Sequence, residues 1–316
     1  MPTITQLKYI VAVGRLGHFG KASKECNVSQ PSLSMQIQKV EEELGFFIFD
    51  RNRKPILPTD KGYRFLQQAR IVLREHDKLV SLASSDANIL SGEFSLGVIP
   101  TIATYILPLF LAEFSGRYPR IHLKIEEMKT SDIIARLKED RLDAGILATP
   151  LKVPGIRERP VYYEPFYLYG SPDSDLLRHK KISPEAIDPN NLWLLQEGHC
   201  FRNQVINYCN FADRKGVFAN VTFESGNLDT LINLVKRGKG YTLIPHLAMD
   251  SLSIDEIQNS VVEFQPPTPV REVSLVYSRD QWKKDIVEVL FNNILVNIPP
   301  QLKEKPGVDF EVVNIT

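Results

Sequence analysis

Lys21-Ala22-Ser23-Lys24-Glu25-Cys26-Asn27-Val28-Ser29-Gln30-Pro31-Ser32-Leu33-Ser34-Met35-Gln36-Ile37 contains two helical segments separated by a turn. Residues 21–26 form a short helix, Asn27 and Val28 make the turn, and Ser29 is a good N-cap with Pro31 tolerated in the first turn after it. Leu33, Ile37, Val40 and Leu44 then recur at i, i+4, i+7 and i+11, which gives the second helix one buried stripe. Two short helices joined by a turn of three to four residues, the second opening with small polar side chains, fit a helix-turn-helix whose reading helix begins at Gln30. Upstream, Leu7, Ile10, Val11 and Val13 keep helical spacing, and Gly14 and Gly17 mark the exit of that helix.

In such a motif Gln30, Ser32, Ser34, Met35 and Gln36 meet base edges and phosphates in a major groove. Arg51, Arg53 and Lys54, in the loop before Ile56-Leu57-Pro58, form a basic wing for phosphate or minor-groove contact. Residues 1–64 hold ten bases against six acids, a balance of +4 that leaves −4 for the rest of a chain with zero formal net charge. A basic head on a mildly acidic body suggests an anionic partner at one end. The same residues also fit a small helical bundle with a solvated polar face. Cys26 falls in the second helix, where a buried structural thiol is expected.

Thr59 caps a long helix in which Leu66, Ala69, Leu73, His76, Val80 and Ala83 alternate spacings of three and four, the a/d seam of a two-stranded coiled coil. Ser84 to Asn88 and Ser91-Gly92 read as a hinge. From there short apolar strands alternate with amphipathic helices. Phe94 to Ile99 lead into a helix over Ile106–Phe114; Ile121, Leu123 and Ile125 form a strand, residues 131–139 a helix, and Ala144–Ala148 a strand. A second set has strands at Phe166–Tyr169, Leu192–Leu195, Val221–Phe223 and Thr242–Ile244, and Val273–Tyr277 returns the chain to the first half. This rhythm predicts mixed α/β layers.

The length of 316 residues allows two or three domains, and 43% hydrophobic with 24% charged residues describes an ordinary globular chain. No 18-residue apolar run and no signal-like N-terminus occur, so a cytoplasmic protein without membrane contact is expected. Three cysteines, an odd count, exclude a structural disulfide framework. Two of the three lie in Gly198-His199-Cys200-Phe201-Arg202-Asn203-Gln204-Val205-Ile206-Asn207-Tyr208-Cys209. Gly198 breaks the preceding apolar run, and residues from Cys200 on read as a helix. Cys200 then sits in a first helical turn, where the dipole, Arg202 and potentially His199 favour a thiolate. Cys209 would lie ~13 Å away along a continuous helix, beyond the roughly 7 Å that a disulfide tolerates. Bonding of the two would therefore require the segment to unwind. Two unrelated half-buried cysteines fit the spacing as well. His199, Cys200 and Cys209 lack standard zinc spacing, so no metal is expected. His18, His76, His122, His179 and His246 read as surface or core residues.

Ala22-Ser23, the run from Val28 through Ile37, Glu41-Glu42-Glu43-Leu44-Gly45, Phe49-Asp50-Arg51 and Thr59-Asp60-Lys61-Gly62 together resemble the winged helix-turn-helix of LysR-type transcriptional regulators. The resemblance implies DNA contact by Gln30, Pro31, Ser34, Met35, Gln36, Arg51 and Arg53. It also implies an α/β regulatory domain, two-lobed and periplasmic-binding-protein-like, behind an N-terminal all-α winged helix-turn-helix and a coiled-coil linker helix. The implied organisation is residues 1–60 for DNA binding, 61–90 for the linker, and 91–300 for regulation. Lobe I covers about 91–163 and 268–300, lobe II about 164–267, and residues 301–316 an appended tail.

Within that family, Gly198-His199-Cys200, Arg202, Gln204 and Cys209 resemble the OxyR subfamily of hydrogen-peroxide sensors, and Thr101 and Thr130 extend the match together with Ser225, Leu228, Thr230, Leu231, Gly238, Gly240, Leu243, Ile244, Pro245 and Arg271. Asn203 departs from the acidic residue common there. The subfamily resemblance implies redox-active Cys200 and Cys209, with Thr101, Thr130, His199, Arg202, Gln204 and Arg271 binding peroxide or activating the thiolate. It further implies no cofactor, no enzymatic turnover, a homotetramer built as a dimer of dimers, and palindromic half-sites on double-stranded DNA. RNA polymerase and a thiol reductant such as glutaredoxin or thioredoxin would be partners. The competing expectation is a LysR-type regulator that answers to a small-molecule effector, its cysteines incidental.

Overall fold

The computed structural model describes residues 1–83, 90–209, 223, 225–278, 281, 283–305 and 307–315, without the side chains of residues 74, 77, 78 and 80–83. It contains two compact units, Met1–Ile89 and Leu90–Thr316.

In the first unit, Thr3 and Gln6 close a capping box at the start of α1 (Ile4–Leu16), and Gly17 ends it in the left-handed region. The His18 ring accepts the N–H groups of Gly20 and Lys21 to start α2 (Phe19–Glu25), two residues before the pattern placed it. Ser29 caps α3 (Gln30–Leu44) as expected, with Pro31 in its first turn. Leu33, Ile37 and Val40 are fully buried with Ile10, Val13 and Ala22, so the periodic stripe of α3 is the centre of this core. Cys26 is the half-buried C-cap of α2 rather than a buried core thiol.

β1 (Phe49–Asp50) and β2 (Leu57–Pro58) pair antiparallel as a two-stranded wing. Glu41, 3% exposed, accepts the N–H groups of Ile48 and Phe49 at 2.8 and 3.2 Å and meets Arg51 Nη2 at 2.9 Å. That carboxylate ties the wing to the reading helix. α4 (Asp60–Ala83) follows, its Gly62 so close to the wing that a Cβ would lie 1.9 Å from the Ile48 carbonyl oxygen. Leu66 and Ala69 are buried within this unit, Leu66 against Gly14. The first two rungs of the expected coiled-coil seam are thus spent inside the domain, because α4 packs on α1. Leu73 and His76 are half-buried, and Tyr63, Val72 and Leu79 are exposed. Val80, Ala83 and the expected hinge at 84–88 lie outside the described side chains and residues.

The second unit opens with β3 (Gly92–Val98), α5 (Pro100–Arg117), β4 (Ile121–Glu127), α6 (Thr130–Lys138) and β5 (Ala144–Thr149), the expected alternation, with β3 parallel to both β4 and β5. β6 (Ile156–Gly170) is long enough to serve both lobes. Its first part pairs with β10 (Thr268–Ser278), and its last part with β8 (Tyr241–Pro245) and β9 (Val261–Phe264). The strand order is β4-β3-β5-β10-β6-β9-β7, where β7 is Lys181–Ile182, and β8 joins through β6. Leu192–Leu195 forms only isolated bridges, Leu192 to Tyr241 and Leu195 to Ser225, not the expected strand. Val221 and its neighbour 222 lie outside the described residues.

α7 (Cys200–Cys209), α8 (Leu228–Arg237, capped by Asn227) and α9 (Ile254–Ser260) belong to the second lobe, and α10 (Lys284–Asn297) packs on α5 in the first. Residues 301–305 and 307–315 are no appendage. Leu302 is buried, β11 (Phe310–Val312) adds a parallel strand to β10, and Val313 and Ile315 enter the core. Periodicity could not show this, since a three-residue strand has almost none.

Candidate functional site

Gly198, at φ 89°, ends the approach in the left-handed region, and the chain turns through His199 straight into α7. Cys200 is therefore the first residue of its helix, as expected. Thr130 is the first residue of α6, and its hydroxyl shares a 2.7 Å hydrogen bond with Cys200 Sγ. Thr101 is the second residue of α5. The starts of α6 and α7 thus meet at this hydrogen bond, and Thr101, Thr130 and Cys200 are all buried.

Arg271 joins Thr101 to the core. Its Nε and Nη2 lie 2.7 Å from Glu164 Oε2, Nη1 donates to Thr101 Oγ1 at 3.3 Å and Nη2 to the Thr101 carbonyl at 3.1 Å. The guanidinium also lies 5.3 Å from the Phe201 ring centroid. Glu164 is fully buried, and its second oxygen accepts the Leu247 N–H at 2.8 Å. The pair is paired and hydrogen-bonded on both sides, as a buried charge requires.

Cys200 is 7% exposed, and burial raises its thiol above the usual cysteine range, against the hydrogen bond from Thr130, the backbone N–H and the charge of Arg271. Burial outweighs these, so the thiol's pKa moves up, opposite to the direction that a helix start alone suggests. His199 is neutral, its pKa lowered first by burial and then by the Lys129 ammonium, so it is not the cation foreseen. Its Nε2 is buried with no hydrogen-bond partner among the described residues. The same imidazole lines a cavity of about 490 Å³ together with Pro100, Thr104, Lys129, Gln196 and Asn227; Thr101, Thr130 and Cys200 are not in its lining. Lys129 Nζ reaches across it to the Glu197 carbonyl at 3.3 Å.

Cys209 closes the same helix, 6% exposed, its thiol pushed up to about 12 by burial and then by Glu185. A ten-residue helix separates the two sulfurs by ~13 Å along its axis, and both are free thiols. Arg202 donates from Nη1 to the Leu195 carbonyl at 2.7 Å, bracing the helix start. Gln204 differs from its expected role: its amide nitrogen donates to the Val313 carbonyl at 3.0 Å. Among the described residues no cluster of three or more His, Cys, Asp or Glu could hold a metal ion, and no helix is long and apolar enough to cross a membrane.

In the first unit Gln30, Pro31 and Met35 are exposed at the start of α3, and Ser34 is half-buried. Gln36 accepts a hydrogen bond from Gln6 Nε2 at 2.9 Å, which ties it to α1. Arg51 is held by Glu41 and stacks 5.3 Å from the Phe19 centroid, while Arg53 is 67% exposed beside Asp50. Sequence reading missed Glu164, Glu41 and Lys129. An acid within Tyr162-Tyr163-Glu164-Pro165-Phe166 and a base within Val270-Arg271-Glu272-Val273 are charges in apolar strands, and that pattern was the available sign of a buried pair.

Residues 4–63 match the bacterial regulatory helix-turn-helix protein family, lysR, and residues 87–295 the LysR substrate binding domain. A hydrogen peroxide-inducible genes activator from Haemophilus influenzae is 34% identical over 277 residues, covering 87% of this chain and 90% of the relative. Full-length OxyR from Pseudomonas aeruginosa, solved as a cysteine-to-aspartate variant, superposes with TM-score 0.79 at 32% identity, covering 94% of this chain and 99% of that one. A cysteine-to-serine variant of Corynebacterium glutamicum OxyR with hydrogen peroxide bound gives TM-score 0.59 at 28% identity, covering 94% of each chain. With both domain families matched and relatives aligned over most of its length, the chain belongs to the LysR family of bacterial transcriptional regulators, in its OxyR subfamily, and is not an enzyme.

Proposed function

We propose that this regulator senses hydrogen peroxide through Cys200 and Cys209 and activates oxidative-stress genes. The observation that carries the reading is Cys200 at the start of α7, hydrogen-bonded to Thr130 beside the open cavity, with Cys209 at the other end of the same helix. Peroxide enters past His199 and is held by Thr101, Thr130 and His199. The Cys200 sulfur gives up its proton and attacks one peroxide oxygen. An S–O bond forms, the O–O bond breaks, and the leaving oxygen takes the proton as water. Arg271 stabilises negative charge on the sulfur as the proton leaves. Cys209 then attacks the sulfenic sulfur, the S–O bond breaks, and a second water departs. Both thiols are oxidised and peroxide is reduced to two waters. Since α7 holds the sulfurs beyond bonding range, the disulfide requires the helix to unwind.

The DNA reading rests on the exposed start of α3, with Gln30, Pro31, Ser34, Met35 and Arg53 at the duplex and Arg51 and Gln36 supporting them. Residues 1–60 bind DNA and residues 61–90 form the linker. The regulatory domain begins at 91 and takes in the 301–315 segment, with lobes at about 91–163 plus 268–300 and 164–267. A homotetramer on palindromic half-sites, contact with RNA polymerase, and recycling by glutaredoxin or thioredoxin in the cytoplasm complete the proposal. Mass spectrometry after brief micromolar peroxide tests it: Cys200 and Cys209 become linked while Cys26 stays free. The second reading, an effector bound in the cavity with incidental cysteines, is favoured by the cavity volume of about 490 Å³. It requires Cys200→Ser protein to respond normally to its inducer.

A further inference from the structure

We propose that residues 307–315 clamp α7 in its reduced form and are released when the helix unwinds, so that Asn203, Gln204 and Asn207 are positioning residues for disulfide formation; this rests on the Cys200–Cys209 switch above. Asn203 Nδ2 donates to the Ile315 carbonyl at 3.3 Å, Gln204 Nε2 to the Val313 carbonyl at 3.0 Å, and Asn207 Nδ2 to the Asn314 carbonyl at 3.2 Å. Three consecutive backbone carbonyls are thus read by three amides of one helix face. On its other side the segment is part of the sheet: Phe310, Glu311 and Val312 pair with Thr268, Pro269 and Val270, the Val313 N–H donates to the Val270 carbonyl at 2.9 Å, and the Thr268 N–H donates to the Asp309 carbonyl at 2.8 Å. The segment therefore lies between β10 and α7, bonded to both.

Positions 203, 204 and 207 share a face only while the segment is helical. Residues 203 and 207 rise ~6 Å apart in a helix and up to ~13 Å apart in an extended chain. The carbonyls of residues 313–315, which continue from β11, cannot follow that change, so the amide bonds break as the helix opens; a three-residue strand left with β10 as its one partner then frays, and its amides exchange. The Gln204 Oε1 atom, buried without a partner, shows that this amide is placed for its donor alone. In the redox step, the two thiol protons and two electrons, one from each sulfur, pass to peroxide, which becomes two waters as one S–S bond forms. The clamp contributes no atoms; it sets how readily Cys209 reaches the sulfenic sulfur.

Hydrogen–deuterium exchange of the full-length protein reads the clamp directly. In reduced protein the amides of residues 310–313 are protected. After one equivalent of peroxide their exchange accelerates at least tenfold, whereas in Cys209→Ser protein, which stops at the sulfenic acid, they stay protected. A linked Cys200–Cys209 pair with unchanged protection of 310–313 overturns the clamp and leaves the sensing function standing. Failure of the two cysteines to link overturns both, and the mass spectrum alone reports it. Gln204→Leu and Asn207→Leu each accelerate the step from sulfenic acid to disulfide about fivefold, the effect of losing one net hydrogen bond. An unchanged rate in both also overturns the clamp.

Discussion

Replacing Thr130 by valine keeps nearly the same shape at the α6 start and removes one hydroxyl, the group bonded to Cys200 Sγ at 2.7 Å. In the resting protein that bond joins two neutral groups and contributes about 1 kcal/mol. Once the sulfur is ionised the same hydroxyl donates to a charge, a bond of roughly 1.5–3 kcal/mol. The difference, on the order of 1–2 kcal/mol, corresponds to about one pKa unit. Burial already holds this thiol above the usual range, so the reactive thiolate is a minority species near neutrality. Thr130→Val therefore makes it about tenfold scarcer and slows peroxide oxidation about tenfold, with only ~1 kcal/mol of lost stability. Stopped-flow kinetics from pH 6 to 9, with sulfenic acid trapped in Cys209→Ser background, measures this. In the parent protein the rate climbs close to tenfold per pH unit through neutrality, and in the variant the whole profile moves up by about one unit. An oxidation rate that is flat below pH 7, or a variant profile superposable on the parent, refutes the neutral-thiol account.

Arg271→Met strands the buried Glu164 carboxylate and costs about 3–5 kcal/mol in urea unfolding, whereas Arg271→Met with Glu164→Gln recovers most of it. His199 has its pKa lowered by burial, so its contribution to stability is present above the ordinary histidine value and is lost as pH falls below it; thermal unfolding between pH 7.5 and 5 shows a decline that His199→Gln flattens. Arg53→Ala weakens DNA binding at all sequences and lowers the salt slope by about 1 without shifting the melting temperature, because the side chain is exposed. Gly62→Ala destabilises the head by several kcal/mol in denaturant titration, since its Cβ would overlap the Ile48 carbonyl.

Local chemistry was legible in the sequence. Ser29, Pro31 and the Leu33–Ile37–Val40 stripe placed α3 to the residue, and Gly198 placed the start of α7, because caps, turns and periodicity are short-range effects. Long-range quantities were not. The direction in which the Cys200 pKa moves depends on burial by residues distant in sequence, and a helix start alone suggested the opposite direction. Gln204 finds its partner 109 residues further along the chain. Leu66 carries a spacing that serves a domain core and a partner helix equally well, and packing on α1 decided between them. Leu192–Leu195 has the composition of a strand but only single-residue bridges on either side.

One buried carboxylate in the head has a wider consequence. Glu41 stands on α3 and holds the backbone of the wing, so one carboxylate joins the two elements that the DNA reading places at the duplex. Little conformational freedom remains to be surrendered on contact, and the head approaches every operator in the same shape. In the switch proposed above, an inducing signal would then act on where a complete head is set down along the DNA, with the distance between half-sites as the variable to compare among promoters.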